Sequence, residues 1–285
     1  MTLPHPRSSF TGLVMFALLV MVPGITRSQD SANKRPALPA KSELHLYLLI
    51  GQSNMAGRGV IEEPDKIAHP RVLKFTKENT WAPALDPLHF DKPIAGVGLG
   101  TTFGKVMAEA NPQVTIGLVP CAVGGTPLSR WQKDGDLAKQ AHVRIKAAMQ
   151  DGTLKGILWH QGEGDAGNEA TAKSYGERLA QMVKDLRTEL GAGDVPFVAG
   201  QLGEFLKRES KPGQPSYWPV VNEQIDSLPS RVSQAAVASS QELKHKGDVV
   251  HFDAASLREF GKRYAAAMQK LQAAASTARP KAIGR

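Results

Sequence analysis

The chain has 285 residues, 41% hydrophobic and 22% charged, with a formal net charge of +8 and one cysteine, Cys121. That length suits one sizeable α/β domain with a full core, and a lone cysteine excludes an internal disulfide. The basic excess is scattered and ends in Arg279-Pro280-Lys281, with no basic run interleaved with aromatics, so nucleic acid is excluded as the expected partner.

The first 28 residues read as a signal peptide. Arg7 precedes the unbroken apolar run Gly12 to Val22, and Thr26-Arg27-Ser28 follows with small residues at a cleavage point expected near Ser28. Cleavage removes Arg7 and Arg27 and no acid, leaving a charge of +6. Eleven apolar residues are too few to span a bilayer comfortably, so the expectation is a secreted or periplasmic protein with no stable membrane insertion. Residues 29–41 are polar, carry two prolines and read as a disordered linker. A single domain is expected over 42–275, and an Ala-, Arg-, Pro- and Gly-rich flexible tail over 276–285.

Within the domain, short apolar runs alternate with helical patterns. Strands are expected at Leu46 to Ile50, Val72 to Phe75, Val114 to Val119, Gly156 to His160, Pro196 to Gln201 and Ala235 to Ser239. Helices are expected at Thr101 to Ala110, Leu137 to Met149, Asn168 to Leu190, Trp218 to Leu228 and Ala254 to Ala274. This alternation predicts an α/β fold, a three-layer α/β/α sandwich around a mostly parallel sheet. Arg58 to Gly98 breaks the rhythm as a long proline-containing excursion around Trp81, and such excursions tend to form binding walls or lids.

The first strand stops abruptly in Gly51-Gln52-Ser53-Asn54-Met55-Ala56-Gly57, which places a hydroxyl where open α/β sheets bind ligands. Ser53 is therefore a candidate nucleophile, with the N-cap of a following helix as the plain alternative. A serine needs a base and an acid to become reactive. Asp248 and His251, three residues apart near the far terminus, have the spacing for one short loop in which the carboxylate orients the ring. Cys121 reads as a small core residue at a strand end. No His-Glu-x-x-His or clustered Cys/His pattern occurs, so no catalytic metal and no cofactor are expected.

Gly51-Gln52-Ser53-Asn54-Met55, Gly124-Gly125-Thr126, Trp159-His160-Gln161-Gly162-Glu163-Gly164-Asp165 and Asp248-x-x-His251-Phe252 together resemble the sialate O-acetylesterase-like SGNH hydrolases. That group includes carbohydrate esterase family 6 and its acetylxylan esterases. The four blocks occur in order between about Leu46 and Tyr264. The segment is Gly-x-Ser-x-Met, unlike the Gly-x-Ser-x-Gly elbow of the α/β-hydrolases. The resemblance implies a flavodoxin-like SGNH fold and an exported serine esterase that removes O-acetyl groups from an acetylated carbohydrate. Ser53, His251 and Asp248 would be catalytic, and the oxyanion would be met by the backbone N–H groups of Ser53 and Gly125 and the side-chain amide of Gln161. Gln52, Asn54, Gly124, Glu163, Arg130 and Trp131 are candidates for substrate contact or support, with Glu163 expected to orient Gln161 or anchor Arg130. His160 is expected to be structural, because strand alternation turns it away from Gln161.

Three rival readings fit the residues less well. A carbohydrate-binding protein on the same scaffold would typically lack a catalytic member, and all are present. An esterase or lipase for longer acyl chains would need an apolar stripe that Arg58 to Gly98 lacks. A glycosidase built on Glu163 and Asp165 is disfavoured because two carboxylates in one loop flank a glycosidic bond poorly. The identity of the sugar, the hydroxyl that is deacylated and the oligomeric state are left open.

Overall fold

The computed structural model describes residues 1–2, 38–207 and 215–278. The signal peptide expected at 1–28 and the linker expected at 29–41 lie, apart from their ends, outside the described residues. Seven strands form one sheet: β1 (Leu44–Gly51), β2 (Val72–Phe75), β3 (Trp81–Pro83), β4 (Thr115–Pro120), β5 (Thr153–His160), β6 (Phe197–Gly200) and β7 (Ala235–Ala238). Their order is β3-β2-β4-β1-β5-β6-β7, and every neighbouring pair is parallel except β2 with β3. β3 falls in the excursion and was not legible beforehand. It is three residues long and closes on Pro83, which is tolerated because this is an edge strand.

Eight α-helices are described: α1 (Ser53–Ala56), α2 (Leu99–Ala110), α3 (Asp136–Ala148), α4 (Glu169–Lys173), α5 (Tyr175–Leu190), α6 (Trp218–Asp226), α7 (Leu228–Arg231) and α8 (Ala254–Ala278). β1 shows why this is a sandwich. Leu44, Leu46, Leu48 and Ile50 point to a core shared with α3, α5 and α6, whereas Tyr47 and Leu49 point to a second core shared with α2 and α8. Both faces are buried, so the strand reads as a continuous apolar run.

Three helix boundaries differ from expectation. The long helix over 168–190 is two helices that meet at Ser174, whose hydroxyl donates back to the Ala170 carbonyl and accepts from Arg178 Nε. The helix over 218–228 ends at Asp226 and restarts at Leu228, where Pro229 lacks the N–H needed to continue the turn. α8 runs through Ala278, so Ser276 to Ala278 are helical where a flexible tail was expected. Among the described residues, no helix is long and apolar enough to cross a membrane.

The strand order positions the site. β1 lies between β4 and β5, and the chain builds outward from it in two directions, so the carboxyl ends of β4, β1 and β5 border the crevice where such sheets bind ligands. The segments leaving those ends carry Gly124-Gly125, Ser53 and Gln161.

Candidate active site

Gly51 ends β1 with φ of +130°, and a Cβ there would lie 2.1 Å from the His160 carbonyl oxygen. Only glycine lets the chain turn so close to β5. The next N–H, of Gln52, donates to that same oxygen at 2.8 Å. Gln52, not Ser53, is the N-cap of α1. The Ser53 hydroxyl is thus free of a capping role and lies 3.0 Å from His251 Nε2. The other ring nitrogen, Nδ1, is 2.7 Å from Asp248 Oδ2.

Asp248 Oδ1 accepts from the backbone N–H groups of Val250 at 3.0 Å and His251 at 2.8 Å. Burial pushes its pKa up, but these bonds and the His251 ring outweigh burial and hold it at about 2. The carboxylate is therefore charged at neutral pH. It fixes the ring proton on Nδ1 and leaves Nε2 to accept from Ser53.

Asn54 joins the two ends of the chain. Its Oδ1 accepts from the Phe252 N–H at 3.1 Å, and its Nδ2 donates to the Val250 carbonyl at 3.1 Å and to Glu163 Oε1 at 2.6 Å. The residue beside the nucleophile thus clamps the loop that carries the imidazole.

The backbone N–H groups of Ser53 and Gly125 donate to no acceptor among the described residues. Gly124 packs directly on Ser53. A Cβ at Gly124 would lie 3.3 Å from Ser53 Cβ and 2.5 Å from Arg58 Nη2. The Gly124 N–H donates to Asp91 Oδ2 at 2.8 Å, and Asp91 pairs with Arg58 at 2.6 Å, both side chains being only 1% exposed. Burial raises the Asp91 pKa, and the Arg58 guanidinium with the Gly124 N–H more than reverses this. Arg58 and Asp91 were missed in the sequence because they lie 33 positions apart in an excursion without a motif.

Four expectations are corrected. The first concerns Gln161, whose Nε2 does not face the hydroxyl: it donates to Asp165 Oδ2 at 2.8 Å, to the Thr126 carbonyl at 3.0 Å and, more weakly, to Gln52 Oε1 at 3.3 Å. Two hydrogens shared over three acceptors leave none for an oxyanion. The neighbouring amide of Gln52 is less committed. Its Oε1 accepts from the Gly164 N–H at 3.2 Å as well as from Gln161, which fixes the amide orientation, while its Nε2 has no acceptor among the described residues. Gln52 is 3% exposed.

Secondly, Glu163 orients neither Gln161 nor Arg130. It accepts from Asn54, and its Oε1 lies 3.5 Å from His160 Nε2. Burial raises its pKa, but His160 and Asn54 lower it further than burial lifts it. The task foreseen for Glu163 falls to Asp165, which accepts from Gln161, from the Leu128 N–H at 2.8 Å and from Arg178 at 2.8 Å. Thirdly, Arg130 pairs with Asp136 at the surface. Lastly, Trp131 is core: it is buried, donates to Thr126 Oγ1 at 3.1 Å and packs edge-on against Trp159. His160 is fully buried among Phe252, Phe260 and Tyr264, on the side of the sheet away from Gln161. Cys121 packs at the margin of a core, and burial pushes its thiol up to about 11.

The arrangement can polarise a hydroxyl and offers unpaired N–H donors beside it, which is the equipment of acyl transfer. Comparison with known proteins agrees. Residues 43–270 match the family described as carbohydrate esterase, sialic acid-specific acetylesterase. A probable carbohydrate esterase of Arabidopsis thaliana, At4g34215, is 31% identical over 194 residues, which covers 61% of this chain and 74% of that protein. The crystal structure of that Arabidopsis protein superposes with a TM-score of 0.71 at 27% identity, covering 81% of this chain and 99% of the other. NanS shares the fold with a TM-score of 0.69 at 18% identity, covering 83% of this chain and all of that one. A carbohydrate acetylesterase from Xanthomonas citri, XAC1771, also shares it, with a TM-score of 0.62 at 22% identity, covering 81% of this chain and 57% of that one. The chain belongs to the sialic acid-specific acetylesterase family of carbohydrate esterases and is a carboxylic ester hydrolase.

Proposed function

We propose that the protein is an exported serine esterase that removes O-acetyl groups from carbohydrate through an acyl-enzyme on Ser53. The observation that carries this reading is the unbroken relay from Ser53 Oγ through His251 to Asp248, at 3.0 Å and 2.7 Å. Ser53 Oγ attacks the ester carbonyl carbon while its proton passes to His251 Nε2. The oxyanion is met by the N–H groups of Ser53 and Gly125 and by Gln52 Nε2. Such donors are worth roughly 3 to 4 kcal/mol each. Collapse of the tetrahedral intermediate returns the proton from His251 to the departing sugar hydroxyl. Water, activated by the same imidazole, then releases acetate.

The small acyl group is supported by the close approach of Gly124 to Ser53, with the Arg58–Asp91 pair packed against Gly124. Glu163 and Asp165 have side chains only 7% and 2% exposed and are bonded within the protein, so they offer a glycosidase no open carboxylate pair. Export is supported by the apolar run Gly12 to Val22.

Hydrolysis of aryl esters of increasing acyl length, together with acetate release from a panel of acetylated glycans, tests the reading. Acetate esters are expected to turn over at least about tenfold faster than octanoate esters, since discrimination in an acyl pocket amounts to about 1–3 kcal/mol per methylene. Ser53→Ala should lose turnover while keeping glycan binding. Equal rates for acetate and octanoate would point to the long-chain rival, and a wild type that binds glycans without releasing acetate would point to a binding protein.

A further inference from the structure

His245 stood out for nothing in the sequence, yet it sits at the base of the loop that carries Asp248. Its Nδ1 accepts from the Gly247 N–H at 2.9 Å and from the Val249 N–H at 3.3 Å, the two residues on either side of Asp248. Both have left-handed backbone, with φ of +114° at Gly247 and +55° at Val249. For glycine that is ordinary. For a β-branched valine it is a strained conformation that persists only where the surroundings hold it.

Neither N–H has another acceptor among the described residues. The His245 ring is itself fixed from behind. It packs edge-on against Phe205, which packs edge-on against Phe252, and residues 245 and 252 pair as an antiparallel bridge. Across that bridge the Lys246 N–H donates to the His251 carbonyl at 2.9 Å. His245 thus ties the acid's loop to the strand-like segment that presents the catalytic imidazole.

We propose that His245 is a positioning residue, whose Nδ1 holds the backbone of residues 247–249 in the shape that brings the Asp248 carboxylate to His251. The proposal rests on the acyl-transfer reading for its effect on rate, but the clamp itself is independent of it. Acceptance at Nδ1 places the ring proton on Nε2. With the acceptor gone, the left-handed turn loses its tie and the carboxylate no longer has one location relative to the ring.

The test compares His245→Ala, His245→Asn and His245→Gln with the wild type. Asparagine Oδ1 stands the same number of bonds from the backbone as histidine Nδ1, whereas glutamine Oε1 stands one bond further out. All three variants lose the stacking on Phe205, so stacking alone does not separate them. On an aryl acetate, His245→Ala and His245→Gln are expected to lose about tenfold in kcat, the size of one lost positioning interaction, with KM within about twofold. His245→Asn is expected to recover most of that loss.

A second readout needs no activity. Amide hydrogen exchange at Gly247 and Val249 should be slow in the wild type and His245→Asn, and fast in the other two. Asparagine behaving like glutamine in both measurements would overturn the proposal, as would unchanged kcat in His245→Ala with slow exchange retained. If His245→Ala does not fold, the Asn and Gln pair decides. A wild type that turns over no ester yet shows the expected exchange pattern would overturn the acyl-transfer reading and leave the clamp standing.

Discussion

The two halves of the site are built in opposite ways. The nucleophile's half is core: Gln52, Ser53 and Asn54 are 3%, 6% and 1% exposed, and the network beneath them, Gln161 and Asp165, is equally enclosed. The half carrying the base and acid is surface, with the Asp248 side chain 38% exposed and the loop held by hydrogen bonds more than by packing. A buried hydroxyl is placed by the sheet and hardly moves. The imidazole is placed by a loop and must be tied down, which explains why Asn54 and His245 both spend their side chains on loop backbone.

Breaking the buried half should have the largest effect, and it should fall on folding. Asp165→Ala leaves Arg178, the Leu128 N–H and Gln161 without their shared acceptor, so a loss of about 3–5 kcal/mol in unfolding free energy is expected from denaturant titration. A loss under about 1 kcal/mol would mean that the network adjusts and is not a fixed support. Asn54→Ala cuts the tie between the halves, removing the acceptor for the Phe252 N–H and the donor to Val250. It should lower kcat by about tenfold or more with a smaller stability loss, about 1–2 kcal/mol. A stability loss alone, with kcat intact, would contradict the clamp.

The mildest probe is pH. The Asp248 pKa is held at about 2, below the ordinary carboxylate value, so its contribution to loop order is fully present above about pH 4 and is lost as pH falls through 4 toward 2. Amide exchange at Val250 and His251, the two N–H groups that Asp248 itself accepts, should therefore stay constant from about pH 8 to 4, after correction for intrinsic rates, and quicken only below. Quickened exchange at those two amides between pH 6 and 5 would contradict the assignment to Asp248.

The same division governs what was legible beforehand. The mostly parallel sheet and the grouping of Ser53, Asp248 and His251 could be read because buried strands have an apolar pattern and because serine, carboxylate and imidazole at such positions complement one another, whereas the order of strands around β1 could not. Gln161 was misread because spacing along a strand end gives a residue's place but not which acceptors capture its amide. Asp165 takes the place foreseen for Glu163 for a similar reason: two residues apart in a turn, they face different elements, Glu163 toward Asn54 and Asp165 toward α5. Asp91 and His245 were invisible because they accept from backbone N–H groups, which no side-chain motif announces, and Arg58 because its partner lies 33 positions away.

The most direct test of the central claim is to quench the enzyme during turnover of an aryl acetate and locate the acetyl group by peptide mass spectrometry. The account predicts one acetyl per chain on Ser53 in the wild type and none in Ser53→Ala. Turnover with no acetyl on Ser53, or acetyl on another residue at the same occupancy in both proteins, would contradict it.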